Sequence, residues 1–148
     1  METIHSYEDY MERVVLPMRK ELTEVGFREL VTPEEVVEAL EGEGKTGTTL
    51  VAVNSVCGCS GRIARPAVKL ALQHERIPQH LYTVFAGQDR EATEKAREYF
   101  LPYPPSSPSF ALLREGKIVA MLERRQIEKK RAEEVAEDLR KLFDQFCS

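Results

Sequence analysis

Two of the three cysteines in this 148-residue chain, Cys57 and Cys59, are separated by a single residue, Gly58. They lie in "TTLVAVNSVCGCSGRIARPAVKLAL", residues 48–72, between a hydrophobic run and a helical pattern. Two such thiols can meet, because a disulfide needs a Cα–Cα separation of only about 4.4–6.8 Å. A Cys-Gly-Cys ring is one residue smaller than a Cys-x-x-Cys ring, so its disulfide is expected to be strained. A strained disulfide is more oxidising and easily reduced. That suits isomerisation, or taking a thiol adduct off another protein, better than strong reduction. A lone cysteine is usually just a small hydrophobe, but packing gives no reason for two thiols flanking glycine where a strand hands over to a helix. Zinc needs about four ligands. Neither His74 nor His80 has finger spacing to the pair and Cys147 is distant in sequence, so no metal is expected. No histidine has the local signature of a Cys–His dyad.

The surroundings favour a reactive thiolate. A helix N-terminus after the cysteines supplies unsatisfied N–H groups and partial positive charge. From Asn54 to His74 the charged residues are Arg62, Arg65 and Lys69, with no acid among them. A positive field lowers a thiol pKa, and the thiolate is the nucleophile. Gly58 and Gly61 read as openings for a bulky disulfide substrate, with Gly58 also tolerating unusual backbone.

The elements that must position this stretch alternate along the chain. Residues 7–25 have a helical face of Met11, Val14, Val15, Met18, Leu22 and Val25, with Pro17 predicting a kink or division. Gly26 ends it, and "FREL" (27–30) is a short strand. Thr32 caps a helix from Pro33, with Glu35 in the N3 place of a capping box. "TLVAV" (49–53) and "HLYTVFA" (80–86) read as strands buried on both faces. Between them Ala64, Ala67, Val68, Ala71 and Leu72 mark a helix that Pro66 should kink. Asp89 is a candidate N-cap for a helix over 90–100. Four of the eight prolines fall between 102 and 108, giving a rigid connection. "SFALL" and "KIVAML" form a hairpin through "REG". One last helix is expected over 125–146, with a stripe from Ala132 to Phe146. Strands alternating with helices imply parallel pairing through right-handed crossovers, and the hairpin adds an antiparallel edge. The C-terminal ends of such strands are where α/β sheets carry their sites.

The length fits one domain spanning 1–148. The net charge of −4 argues against nucleic acid. The basic cluster Arg124, Arg125, Lys129, Lys130 and Arg131 is interleaved with Glu123, Glu128, Glu133 and Glu134, so it reads as a solvated helix start. "METIHSYEDYMERVV" has acids and no apolar core, so it is not a signal peptide. No apolar run approaches the roughly 20 residues of a membrane span. The expected address is the cytoplasm, where thiols stay reduced.

"VAVNSVCGCSGRIARPA" closely resembles the motif of the bacilliredoxins. "TVFAGQD", "EATEKAREYF", "PSSPSFALL" and "YEDYMERVVLPMRKELTEVGF" are also similar to that family, and the likeness runs from about residue 7 to the C-terminus. It implies an α/β, thioredoxin-like three-layer α/β/α sandwich. The central sheet would be mixed, with an antiparallel C-terminal hairpin and an added N-terminal helix. It implies a thiol–disulfide oxidoreductase of bacteria that use bacillithiol, a low-molecular-weight thiol. Such proteins take bacillithiol off S-bacillithiolated proteins, and weak disulfide isomerase activity is also associated with them. The attacking thiol then falls on Cys57 and the resolving thiol on Cys59. Bacillithiol is a co-substrate, with no tightly bound cofactor, and the partners are bacillithiolated or disulfide-bonded proteins.

In a thioredoxin-like sheet a cis-proline faces the redox cysteines, and Ser107–Pro108 is the bond that falls there. It would turn the Ser107 backbone toward a substrate. Arg62 and Arg65 are candidates to attract bacillithiol's carboxylates, or else are solvated helix charges. Residues 122–128, "LERRQIE", depart from the family's "PRHEIE": its proline and histidine are missing, and Glu123 and Gln126 stand there. Cys147 resembles a late cysteine of relatives, or is an exposed thiol of a frayed tail. Two other classes remain open: a protein disulfide isomerase, and a non-catalytic metal- or partner-binding module.

Overall fold

A computed structural model describes residues 6–147. Residues 1–5, with Glu2 and part of the segment read as not being a signal peptide, lie outside the described residues, as does Ser148.

The chain opens with α1 (Tyr7–Tyr10), a π turn (Met11–Val15) and α2 (Leu16–Thr23). Then follow β1 (Arg28–Glu29), α3 (Pro33–Leu40), β2 (Thr48–Asn54), a second π turn (Ser60–Ala64) and α4 (Arg65–Ala71). The remaining elements are β3 (His80–Phe85), α5 (Arg90–Glu98), β4 (Ser109–Arg114), β5 (Lys117–Leu122), α6 (Arg124–Ile127) and α7 (Ala132–Phe146). The five strands make one sheet in the order β1-β3-β2-β4-β5. β1, β3 and β2 run parallel, while β4 is antiparallel to both β2 and β5. This is the expected mixed sheet with an antiparallel hairpin.

Every residue of β2 is buried, as a strand covered on both faces requires. Side chains alternate across a strand, and β2 accordingly feeds two cores. Leu50 and Ala52 join Phe110, Leu112 and Leu122 against α2, α4 and α7. Val51 and Val53 join Val84, Ala111 and Leu113 against α3 and α5. The result is the three-layer α/β/α arrangement.

Both helix prolines are accommodated by a wide turn. The residue before each donates to the carbonyl five back, Leu16 to Met11 and Arg65 to Ser60. A proline ring collides with the carbonyl four residues earlier, and widening the preceding turn to the i→i−5 pattern relieves the crowding. The capping box of Thr32 and Glu35 is present.

Two expectations are corrected. Asp89 stands at the N-cap of α5 as expected, but its side chain makes no cap bond. Its carboxylate instead receives Arg19, at 2.7 Å, and the same guanidinium bonds Glu29 at 2.6 Å and lies over the Phe85 ring. Charge-assisted bonds to a guanidinium outweigh one bond to a backbone N–H. The last helix is two helices, because Arg131 is extended and its N–H is taken by the Glu134 carboxylate. Ile127, fully buried, seats the short α6 in the core. Ile127→Ala is expected to lower stability by about 2–5 kcal/mol, read as a lower urea midpoint with an unchanged slope.

Candidate active site

β2 ends at Asn54, and the chain crosses Ser55 and Val56 to reach Cys57. Cys59 already carries helical backbone, leading into the π turn and α4. Ser109, the first residue of β4, pairs with Val53 on β2, so Pro108 stands at the same sheet edge as the cysteines. The Ser107–Pro108 bond is cis, in line with the sequence expectation, and so is Leu101–Pro102. Antiparallel pairing of Phe110 with Leu122 brings the end of β5, and hence Arg124, to that edge too. Arg124 Nη1 donates to the Ser107 carbonyl at 3.5 Å. The structure thus gathers Cys57, Gly58, Cys59, Ser107 and Pro108. It adds Arg124, which charge patterning alone assigns to a solvated helix start.

The two thiols differ in setting. Cys57 is half-buried, Cys59 is 8% exposed, and their sulfurs are 2.8 Å apart. Burial pushes the Cys57 thiol up. Hydrogen bonds from Cys59 and Ser55, the Ser60 backbone N–H and the Arg124 charge outweigh it, leaving Cys57 below the ordinary cysteine range. Burial, followed by its bond and repulsion with Cys57, holds Cys59 above that range. Of the two, Cys57 is the thiol whose anion the surroundings favour, and Cys59 the one whose anion they disfavour. Gly58, between them, is exposed.

Ser55 is a second residue, with Arg124, that sequence reasoning missed. Its Oγ donates to Cys57 Sγ at 3.2 Å and accepts from the Cys57 N–H at 3.2 Å. The available signal was a hydroxyl two residues before the cysteine at a strand end, where serine habitually bonds nearby backbone.

Arg65 is not available to a substrate, which corrects its reading as a carboxylate binder. It is 6% exposed and fixed from below the loop. Its Nη1 reaches Asn54 Oδ1 at 2.8 Å, the Ser55 carbonyl at 2.9 Å and Ser60 Oγ at 3.0 Å, while its Nε bonds Glu21 of α2. Asn54 Oδ1 also accepts from the Ser55 N–H at 2.9 Å, and Asn54 Nδ2 donates to the Met18 carbonyl at 3.2 Å. The acid missing from residues 54–74 is thus supplied by the N-terminal helix. Gly61 is corrected similarly. A Cβ there would sit 3.0 Å from Arg65 Nη2, so this glycine makes room for the guanidinium rather than for substrate. At Gly58 a Cβ would meet only the exposed Arg62 guanidinium, at 3.9 Å.

Cys147 is not a frayed-tail thiol. It is buried in the core beside α7, and burial raises its pKa. His74 pairs with Asp144 and His80 with the Thr46 carbonyl, away from the cysteines. Among the described residues, no group of three or more His, Cys, Asp or Glu is arranged to hold a metal ion, and no helix is long and apolar enough to cross a membrane.

The family model described as "Disulphide isomerase" matches residues 10–147. Bacilliredoxin BH1716 of Halalkalibacterium halodurans is 52% identical over 141 residues, covering 95% of this chain and 96% of its own. The chain belongs to the bacilliredoxin family. Bacilliredoxin GK2368 of Geobacillus kaustophilus is 53% identical, over 95% of this chain and 92% of its own. Solved thioredoxins share the fold at low identity. A mutant thioredoxin of Entamoeba histolytica aligns with a TM-score of 0.53 and 14% identity, over 79% of this chain and 99% of its own. The reduced Schistosoma mansoni thioredoxin gives 0.51 and 22%, over 78% and 95%. Family and thioredoxin-like fold together support a thiol–disulfide oxidoreductase.

Two measurements follow from the geometry. The rate of Cys57 alkylation by iodoacetamide, followed by mass spectrometry, should rise with pH and level off above a midpoint lower than that of an unperturbed cysteine measured alongside. Ser55→Ala removes a bond that favours the thiolate, so it should move that midpoint up and slow alkylation at neutral pH. Arg65→Met strips the donor from Asn54, Ser55 and Ser60 and should cost about 1–3 kcal/mol in denaturant unfolding. In the folded Arg65→Met protein the alkylation midpoint should also rise, because Ser55 loses the anchor that aims its hydroxyl at Cys57.

Proposed function

We propose that this protein is a cytoplasmic thiol–disulfide oxidoreductase that removes bacillithiol from S-bacillithiolated proteins. The observation that carries the reading is the division between two adjacent thiols: a half-buried Cys57 with a lowered pKa, and a buried Cys59 with a raised one. Membership of the bacilliredoxin family supports bacillithiol as the small thiol.

In the first step the Cys57 thiolate attacks the bacillithiol sulfur of the mixed disulfide. A Cys57–bacillithiol disulfide forms, the bond to the client breaks, and the repaired client cysteine leaves as a thiolate that takes a proton from water. Two routes then clear the adduct. Free bacillithiol attacks the bacillithiol sulfur, releasing the Cys57 thiolate and bacillithiol disulfide. Alternatively, Cys59 loses its proton and attacks Cys57 Sγ, expelling bacillithiol and leaving the Cys57–Cys59 disulfide for later reduction by thiol. Bacillithiol serves as co-substrate, and the protein needs no resident cofactor. Pro108 and the Ser107 backbone would receive the extended client segment.

Adduct trapping tests this assignment. Cys59→Ser should accumulate a stable bacillithiol or client adduct on Cys57, whereas Cys57→Ser should accumulate none and lose de-bacillithiolation. Full activity in Cys57→Ser would overturn the assignment. The description of the matching family as "Disulphide isomerase" favours a second reading, reshuffling of misbridged proteins. Running a scrambled-disulfide assay beside a bacillithiol mixed-disulfide assay separates the two.

A further inference from the structure

Two guanidiniums remain at the rim of the thiol pair once Arg65 is assigned to the scaffold. Arg62 is exposed, and its Nε and Nη2 lie 3.9 Å from where a Gly58 Cβ would stand. It therefore covers the glycine between the cysteines, and it has no hydrogen-bond or ion-pair partner among the described residues. Arg124 approaches from the end of β5. Glu128 holds its Nε at 3.0 Å, and its Nη1 reaches the Ser107 carbonyl at 3.5 Å. The neighbouring acid Glu123 is engaged with Arg125 at 3.2 Å. One cation thus sits over Gly58 and the other beside the cis-proline turn, with Cys57 half-buried beside that glycine and within the field of Arg124.

We propose that Arg62 and Arg124 form a carboxylate-binding subsite that selects disulfides whose small-thiol half is anionic. The subsite deepens the function proposed above and rests on Cys57 as the attacking thiol. A carboxylate-bearing thiol would place its negative groups against the two guanidiniums while its sulfur faces Cys57. Planar guanidinium donors match carboxylate geometry. Both arginines being open to water, each contact is a modest one, so the subsite acts by preference among small thiols.

The test uses two small disulfides that act as substrates themselves. Dithiobis(nitrobenzoate) carries two carboxylates, and dithiodipyridine carries none. With either, the Cys57 thiolate attacks one sulfur, a Cys57 mixed disulfide forms, and one equivalent of coloured thiolate or thione leaves. The readout is the ratio of the two initial rates at one pH, anionic over neutral. A change in thiolate fraction affects both rates alike and cancels. Arg62→Gln and Arg124→Gln should each lower the ratio about 3- to 5-fold, with the double variant lower still. Arg125→Gln, which removes the same charge one residue away from an arginine that is 79% exposed, should leave it unchanged. Unchanged ratios in both single variants would overturn the proposal. An equal fall in Arg125→Gln would also overturn it, since that reports a diffuse field rather than a subsite. The ratio is read whether or not the protein removes adducts from other proteins, so failure of the wider function shows separately, in the de-bacillithiolation assay.

Discussion

The site depends on one buried charge. Arg65 occupies the space beneath the loop that joins β2 to its helix, and a guanidinium is tolerated there only if its donors are used. It uses them on Asn54, on the Ser55 carbonyl, on Ser60 and on Glu21. Those bonds hold both sides of the Cys-Gly-Cys segment, the strand end before it and the first helical residue after it. Ser55 is thereby fixed where its hydroxyl meets Cys57 Sγ. The added N-terminal helix is part of the same construction. It supplies Glu21 to Arg65 and the Met18 carbonyl to Asn54, and it is tied down by Arg19 on Glu29 and Asp89. An element that looks peripheral to the sheet is a support of the reactive loop.

From that frame the two cysteines acquire opposite roles despite being two residues apart. Both meet a desolvation cost on ionising, so neither would be reactive on burial alone. Cys57 offsets it through donors that favour its anion: the Cys59 thiol, the Ser55 hydroxyl, the Ser60 N–H and the charge of Arg124. Cys59 is pushed the other way, by burial first and then by its hydrogen bond and repulsion with Cys57. The difference in thiol acidity is matched by a difference in access, since Cys57 is the more exposed of the pair. In the function proposed above, that order of access lets a client disulfide meet Cys57 first and leaves Cys59 to act on an adduct already formed.

The fold was legible because its signals are local and repeated. The apolar run at 49–53, the alternation of strands with helices, and the proline-rich connection before β4 placed the cysteines and Pro108 at one edge. The roles of Arg62, Arg65 and Arg124 were not legible in the same way. In sequence, Arg65 looks like Arg62, three residues earlier on a helix lacking acids. Its burial is decided by Glu21, 44 positions away, and by the room that Gly61 leaves. Arg124 sits in a run of mixed charge with no break signal. The split between α6 and α7 involves neither glycine nor proline, only the Glu134 carboxylate capping Arg131 and Ile127 holding the short helix in the core. Charge counting along the chain finds the positive field but assigns part of it to the wrong residue.

That reassignment changes what the field is for. A guanidinium locked under the loop contributes rigidity, because its donors are committed before substrate arrives. Guanidiniums at the rim keep donors for an incoming group and also bias the thiolate, as Arg124 does. The two tasks make opposite demands on exposure: the scaffold charge must be dry to hold geometry, and the recognition charge must be wet to be reached. Distributing them over Arg65 on one side, and Arg62 with Arg124 on the other, lets a short surface segment be both fixed and selective. At Gly58 a Cβ would meet the Arg62 guanidinium only at ordinary contact distance, 3.9 Å, so what separates the two tasks is the exposure of the arginines and not steric room at the glycine.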